Sequence, residues 1–166
     1  MIKFYDDILD PKEITLLCSI FLNENCPYYL KIGQTDLDDR LHFTHCLQDR
    51  DAFAITSQKY YDVINIIIKL CKTIKIKLNK VLRASVNLTF PYSPSVGAIH
   101  IDHPFDYKQF IICLTDGGAT HFFNKKNKVI KKIVSKKSRV LLFDKQPHAV
   151  VHSEKKERVI IVVTFI

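Results

Sequence analysis

Glycine is scarce in this chain. It occurs only at Gly33, Gly97, Gly117 and Gly118. Neither a G-x-G-x-x-G turn nor a P-loop can be assembled from those positions, which excludes the phosphate-cradling nucleotide folds. Tryptophan is absent. No apolar run reaches the roughly 18 residues that a membrane helix needs, so no transmembrane segment is expected. The N-terminus, Met1-Ile2-Lys3-Phe4-Tyr5-Asp6, lacks the apolar core of a signal peptide, and a cytoplasmic location is expected. The five cysteines (Cys18, Cys26, Cys46, Cys71 and Cys113) form no C-x-x-C pair. Reduced, buried thiols fit them better than a disulfide framework or a zinc site.

At 166 residues the chain reads as one domain, 1–166, long enough to bury a real core. Its net charge of +8 points to an acidic partner or substrate, or to solubility alone. Asp10-Pro11-Lys12-Glu13 is a helix start: Asp10 caps, Pro11 takes the first helical position and Glu13 completes a capping box. Ile14, Leu17, Cys18 and Phe21 follow at helical spacing. The chain looks extended over 27–33, polar and loop-like over 33–40, and strand-like over 41–47. Ser57 can cap a second helix carrying Tyr60, Ile64, Ile67, Cys71 and Ile74 through about Lys75. After residue 80 the texture changes to strands, expected over 81–90, 108–115, 120–124, 129–134, 139–143 and 158–165. The first part, 1–80, is then a helical support and 81–166 a β core. Helices packed outside a barrel or sandwich of short strands fit this order.

Three stretches carry the chemistry. His100 and Asp102, two apart on an expected strand, share a face, while Ile101 points the other way, into the core, and His103 turns aside. His148 and His152 both lie near a predicted turn, and either closes a site of two imidazoles and one carboxylate. That donor set leaves metal positions open and suits non-haem Fe(II). Arg158, ten residues beyond His148 in the sequence, opens an otherwise apolar strand. A tight turn between two strands would return it to the same pocket, where a buried guanidinium needs an anionic partner. His42, His45 and Cys46 are a weaker ligand cluster, better read as residues lining a strand. The lysine-rich segment 125–139 is a basic hairpin, solvated or able to guide an acidic peptide or nucleic acid.

The pattern resembles the Fe(II)/2-oxoglutarate-dependent dioxygenases, in particular their prolyl 4-hydroxylase-like branch. The H-x-D pair, Pro147-His148 and an arginine ten later stand in that family's order. Leu114 to Phe122 is similar to its G-G-x-T-x-F segment, and Leu141-Leu142-Phe143-Asp144 to the strand before its distal histidine. Tyr5 to Glu13 is similar to its entry into the first helix. The resemblance covers 81–166 well and the first half loosely. It implies a double-stranded β-helix (a jelly-roll, cupin-like barrel) with N-terminal helices packed on one sheet. His100, Asp102 and His148 would bind Fe(II), the ten-residue interval favouring His148 over His152. Arg158 would bind 2-oxoglutarate. Phe90 stands where the family often has a tyrosine, so Tyr92 or Asn87 would take over that contact, and Gln109 stands near the family's distal-carboxylate threonine. O2 is the oxidant and ascorbate an accessory reductant. The implied reaction is hydroxylation of a prolyl residue in a protein or peptide, yielding succinate and CO2. A nucleic-acid base dioxygenase and a non-catalytic β-barrel binding protein are the rival readings.

Overall fold

The computed structural model describes residues 1–32, 41–91 and 96–166. The expected loop over 33–40 and the candidate Tyr92 lie outside the described residues. Among the described residues, ten strands and two helices follow in the order β1 (Ile2–Tyr5), α1 (Pro11–Phe21), β2 (Tyr29–Ile32), β3 (Leu41–Gln48), α2 (Tyr60–Thr73), β4 (Val81–Thr89), β5 (Lys108–Cys113), β6 (Ala119–Phe123), β7 (Val129–Val134), β8 (Val140–Asp144), β9 (His148–Val151) and β10 (Arg158–Phe165).

Helix α1 starts as the sequence demands. The Asp10 side chain accepts from the Lys12 amide at 2.8 Å, and Glu13 reaches back to the Asp10 amide at 2.8 Å. Helix α2 starts differently. Its cap position is Lys59, with no side-chain cap bond. Ser57 instead accepts from the Lys59 amide at 3.3 Å and pairs with His45, in a turn just before the helix. The buried stripe of α2 is Val63, Ile66, Ile67, Leu70 and Cys71, rotated from the expected one.

The strands form two antiparallel sheets. The larger runs β1-β8-β5-β10-β4-β3-β2 and the smaller β7-β6-β9. Strand β1 was not legible as a strand. It pairs with β8 from Ile2 opposite Phe143 to Tyr5 opposite Val140, at the sheet edge. Strand β10 is buried at every position between β4 and β5, which explains its almost unbroken apolar run.

Alternation along the central strands separates two cores. Val159, Ile161, Val163 and Phe165 of β10 join Phe110, Ile112 and Val86 against Leu17 and Phe21 of α1 and Ile67 and Leu70 of α2. Ile160 and Val162, on the opposite face, join Ile111, Leu141 and Phe143 against Phe122 and Ile133 of the small sheet. The helices thus close one face of the large sheet, and the small sheet covers the other. Leu17 is fully buried where α1 meets the sheet. Leu17→Ala is expected to cost about 2–5 kcal/mol, a large-to-small core loss read as a shift in the urea unfolding midpoint.

Candidate metal centre

Between the two sheets lies a cavity of about 350 Å³. Among the described residues, His100, Asp102 and His148 form the group able to hold a metal, with one ligand atom from each lying within 4.8 Å of the others. His148 opens β9. His100 is not on a regular strand, and neither is Asp102. His100 makes an isolated bridge to His148, each amide donating to the other's carbonyl at 2.9 and 3.0 Å, and the chain then bends at Asp102. The expected strand alternation therefore fails here. Ile101 is 42% exposed and lines the cavity, because the chain leaves its bridge to β9 at His100 and bends at Asp102. The convergence of His100 and Asp102 comes from the bend and from the Tyr107 hydroxyl, which accepts from the Asp102 amide at 3.0 Å.

Both imidazoles are set for ligation. His100 Nδ1 lies 3.0 Å from the Ala98 carbonyl and His148 Nδ1 2.9 Å from the Gln146 carbonyl. A carbonyl only accepts, so each Nδ1 carries a proton and Nε2 is the nitrogen turned to the site. Burial pushes the His148 pKa down to about 4, against the opposing pull of Asp102, so the ring is neutral at physiological pH. Burial alone would raise the Asp102 pKa. The nearby imidazoles of His148 and His100 and the guanidiniums of Arg83 and Arg50 outweigh it and hold the carboxyl below its ordinary value. Arg50 donates to Asp102 Oδ1 at 3.1 Å and Arg83 to the same oxygen at 3.2 Å. Oδ2 is buried without a hydrogen-bond partner and lies 3.5 Å from His148 Nε2. One oxygen is thus tied back and the other left facing the imidazoles, as a monodentate metal ligand requires.

His103 points elsewhere, its Nε2 lying 2.8 Å from the Thr164 hydroxyl. His45 bonds to the Pro27 carbonyl at 2.7 Å and Ser57 at 2.9 Å, which anchors a loop rather than an ion.

Arg158 opens β10 at 3% exposure, inside the cavity. Its Nε donates to Ser135 Oγ at 2.7 Å and one terminal nitrogen to Thr120 Oγ1 at 2.8 Å. Among the described residues no carboxylate pairs with it, and burial lowers its pKa. The expected route to the pocket is a tight turn between two strands. The connection, residues 152–157, joins two successive strands in different sheets, β9 in the small one and β10 in the large one.

Asn87 lines the cavity across from Ile160, two positions along from Arg158. Gln109 lines it as well but sits opposite Thr164, six positions along β10 from Arg158. It therefore occupies the other end of the cavity. The residues that do touch Arg158, Thr120 and Ser135, were not singled out in the sequence, although Thr120 falls within the G-G-x-T-x-F segment. Arg50 and Arg83 were also not reached. For Arg83 a signal existed, since an arginine inside an apolar strand needs an inward partner.

The basic hairpin is partly engaged within the fold. Lys131 donates to the Ile2 carbonyl at 3.1 Å, and Arg139 forms a two-bond ion pair with Asp6 at 2.8 Å for each bond.

No protein-family model matches the sequence, and no curated protein matches it. Solved structures do share the fold. A 2OG-Fe(II) oxygenase family oxidoreductase from Burkholderia pseudomallei superposes with a TM-score of 0.78 at 14% identity, covering 99% of this chain and 84% of that one. A prolyl-4-hydroxylase from Pseudomonas putida gives 0.64 at 14% identity, with 99% and 91% covered. A Trichoplax adhaerens prolyl hydroxylase, in complex with a hypoxia inducible factor oxygen degradation domain peptide fragment, gives 0.68 at 17% identity, with 99% and 83% covered. The chain has the fold of the 2OG-Fe(II) oxygenases, prolyl 4-hydroxylases among them.

Gly118 ties the small sheet to Arg158. Its φ is +68°, and an added Cβ would meet the Val151 carbonyl oxygen at 2.6 Å and Arg158 Cδ at 2.9 Å. Gly118→Ala is expected to cost about 1–3 kcal/mol in urea unfolding, through a strained backbone that cannot relax away from a neighbouring carbonyl.

Proposed function

We propose that the protein is an Fe(II)- and 2-oxoglutarate-dependent dioxygenase that hydroxylates a prolyl residue in a protein or peptide, releasing succinate and CO2. The observation that carries this reading is the buried Arg158, held by two hydroxyls and no described carboxylate, in the cavity that also carries the two-histidine, one-carboxylate group. A buried cation of this kind needs an anion, and a dicarboxylate that also chelates a metal supplies one.

In this reading His100, Asp102 and His148 hold the iron, and the donor set fits it: two imidazole nitrogens and one free carboxylate oxygen. Arg158 binds the far carboxylate of 2-oxoglutarate, with Thr120 and Ser135 fixing the plane of its guanidinium. Asn87, two positions along, is a further contact. Bound there, the metal with 2-oxoglutarate and O2 supplies oxidative decarboxylation of the cosubstrate and the oxidising equivalent for C–H hydroxylation. The protein's part is to orient these groups and keep bulk water out, with Ile111, Ile160 and Val162 forming the apolar wall beneath them.

The architecture we propose is a single double-stranded β-helix domain. Strands β5, β8 and β10 fall in the large sheet and β6, β7 and β9 in the small one. Isolated bridges from Val96 to Val151 and from His100 to His148 lay the 96–100 segment beside β9 as a fourth member of the small sheet. A peptide substrate is supported by the Trichoplax neighbour, and the prolyl reaction by the two hydroxylase folds. Free thiols at all five cysteines support a reducing, cytoplasmic location. Among the described residues no helix is long and apolar enough to cross a membrane.

An anaerobic titration with Fe(II) and 2-oxoglutarate tests the site. The visible charge-transfer band of the chelate should appear in the wild type and vanish in His148→Ala. In Arg158→Ala the 2-oxoglutarate needed for half-saturation should rise by about tenfold or more, the effect of losing one buried charge pair. Absence of the band in wild type with both ligands in excess would sink the reading. Arg158→Met separates stability from function. With the unpaired buried cation replaced by an apolar side chain, the ligand-free protein should unfold at a higher temperature, gaining about 1 kcal/mol or more. The rise in Tm that 2-oxoglutarate gives the metal-loaded wild type should then be lost.

A further inference from the structure

The cavity carries more positive charge than an iron centre with its cosubstrate can neutralise. Among its described lining residues are three arginines, Arg50, Arg83 and Arg158, and one carboxylate, Asp102. A divalent metal and a doubly charged 2-oxoglutarate cancel one another, and once Lys31, Asp49 and Asp51 of the adjoining groove are counted, one positive charge still survives their binding. The cations also stand at opposite ends. On β4 and β10, Thr89 faces Arg158 and Arg83 faces Thr164. Six strand positions separate the two ends, about 20 Å of extended backbone. One dicarboxylate anchored at Arg158 leaves the far pair sharing the single Asp102 oxygen.

The far pair is arranged in depth. The Arg50 side chain is 40% exposed and that of Arg83 24%, so Arg50 stands at the mouth and Arg83 below it. Both touch a single Asp102 oxygen, which leaves each guanidinium further donors for a second acceptor. The cavity continues past them into a groove lined by Lys31, Thr44, Gln48 and Ser85, with His42 shared between the two.

The geometry points to an anion-recognition site for the substrate at Arg50 and Arg83, whose ligand is a carboxylate next to the carbon to be oxidised. This rests on the dioxygenase reading and deepens it: the preferred prolyl substrate carries an acidic neighbour. Carboxylate chemistry is favoured over a nucleic-acid backbone by the flanks of Arg50. Asp49 and Asp51 border the same groove. A polyanion lying across the mouth would run over both, whereas one carboxylate can pass between them to the arginine pair.

The test is calorimetric and needs no turnover. The protein is loaded with Mn(II), a redox-inert stand-in for iron, and with 2-oxoglutarate, and both bindings are recorded first. It is then titrated with N-acetylated pentapeptides of central proline, flanked by Glu or by Gln. The readout is the ratio of the two affinities, which cancels any general loosening of the site. In wild type the Glu peptide should bind about tenfold tighter, the size of one charge-assisted contact. In Arg50→Gln and in Arg83→Gln the ratio should fall towards one. Competition by free N-acetylglutamate weaker than binding of the Glu peptide supports a peptide carboxylate, and competition at equal affinity overturns the acidic-neighbour proposal in favour of a small acid. Equal affinities for the two peptides, or no binding of either, overturn the proposal while leaving intact an iron site that has bound Mn(II) and 2-oxoglutarate. A ratio unchanged in both variants, with 2-oxoglutarate affinity lost, overturns it too and assigns the arginines to the cosubstrate. Displacement of the peptide by a single-stranded oligonucleotide, steeply weakened by salt, overturns it in favour of a phosphodiester. Failure of wild type to bind Mn(II) or 2-oxoglutarate removes the dioxygenase reading, and this inference with it.

Discussion

A guanidinium withdrawn from water with no carboxylate partner among the described residues is the constraint around which this structure is organised. Moving an ion of that size out of water costs several kcal/mol even after the protein relaxes. Arg158 recovers part of that through Ser135 and Thr120, which come from the two sides of the β6–β7 hairpin. The hairpin must lie close, and Gly118 is where the approach is closest, its missing side chain making room for Arg158 Cδ. The small sheet is therefore held to the large one both by the apolar layer of Phe122, Ile133, Ile160 and Val162 and by a polar requirement at its edge.

The metal group rests on a different principle. Its ligands are positioned by backbone more than by side-chain packing. His100 and His148 are joined amide to carbonyl, and each ring is then oriented by a carbonyl two residues before it. Gln146 braces the approach to His148 through the Phe123 carbonyl, and the Phe123 amide donates to Pro147 at 2.9 Å. Asp102 differs: two arginines from the large sheet side hold one of its oxygens. The two imidazoles thus belong to the small sheet, the carboxylate is tethered across to the large one, and the site exists only where the sheets meet.

What the sequence disclosed follows from what kind of information each residue carries. The Asp10 cap, the unbroken apolar run of β10 and the inward Arg158 are local statements, visible wherever a polar group interrupts a pattern. His100, Asp102 and His148 were legible through their order and spacing. Other features depend on chain reversals that spacing does not encode. Strand β1 has no pattern of its own, because it lies at an edge with its outer side exposed. Ile101 was misplaced because strand alternation was assumed in a segment that bends. The partners of Arg158 and the arginines on Asp102 arise from side chains brought together by long connections, and only Arg83 left a trace, as a charge within an apolar strand.

The paired amides of His100 and His148 have a consequence for metal exchange. Two of the three proposed donors sit on backbones bonded to each other, so their spacing would not depend on the ion. The empty and filled states then differ little in chain entropy, and the centre behaves as a rigid socket rather than a clasp. Such a socket selects ions by donor chemistry and supply. On the proposed reading, it would lose and regain its metal without passing through an unfolded chain.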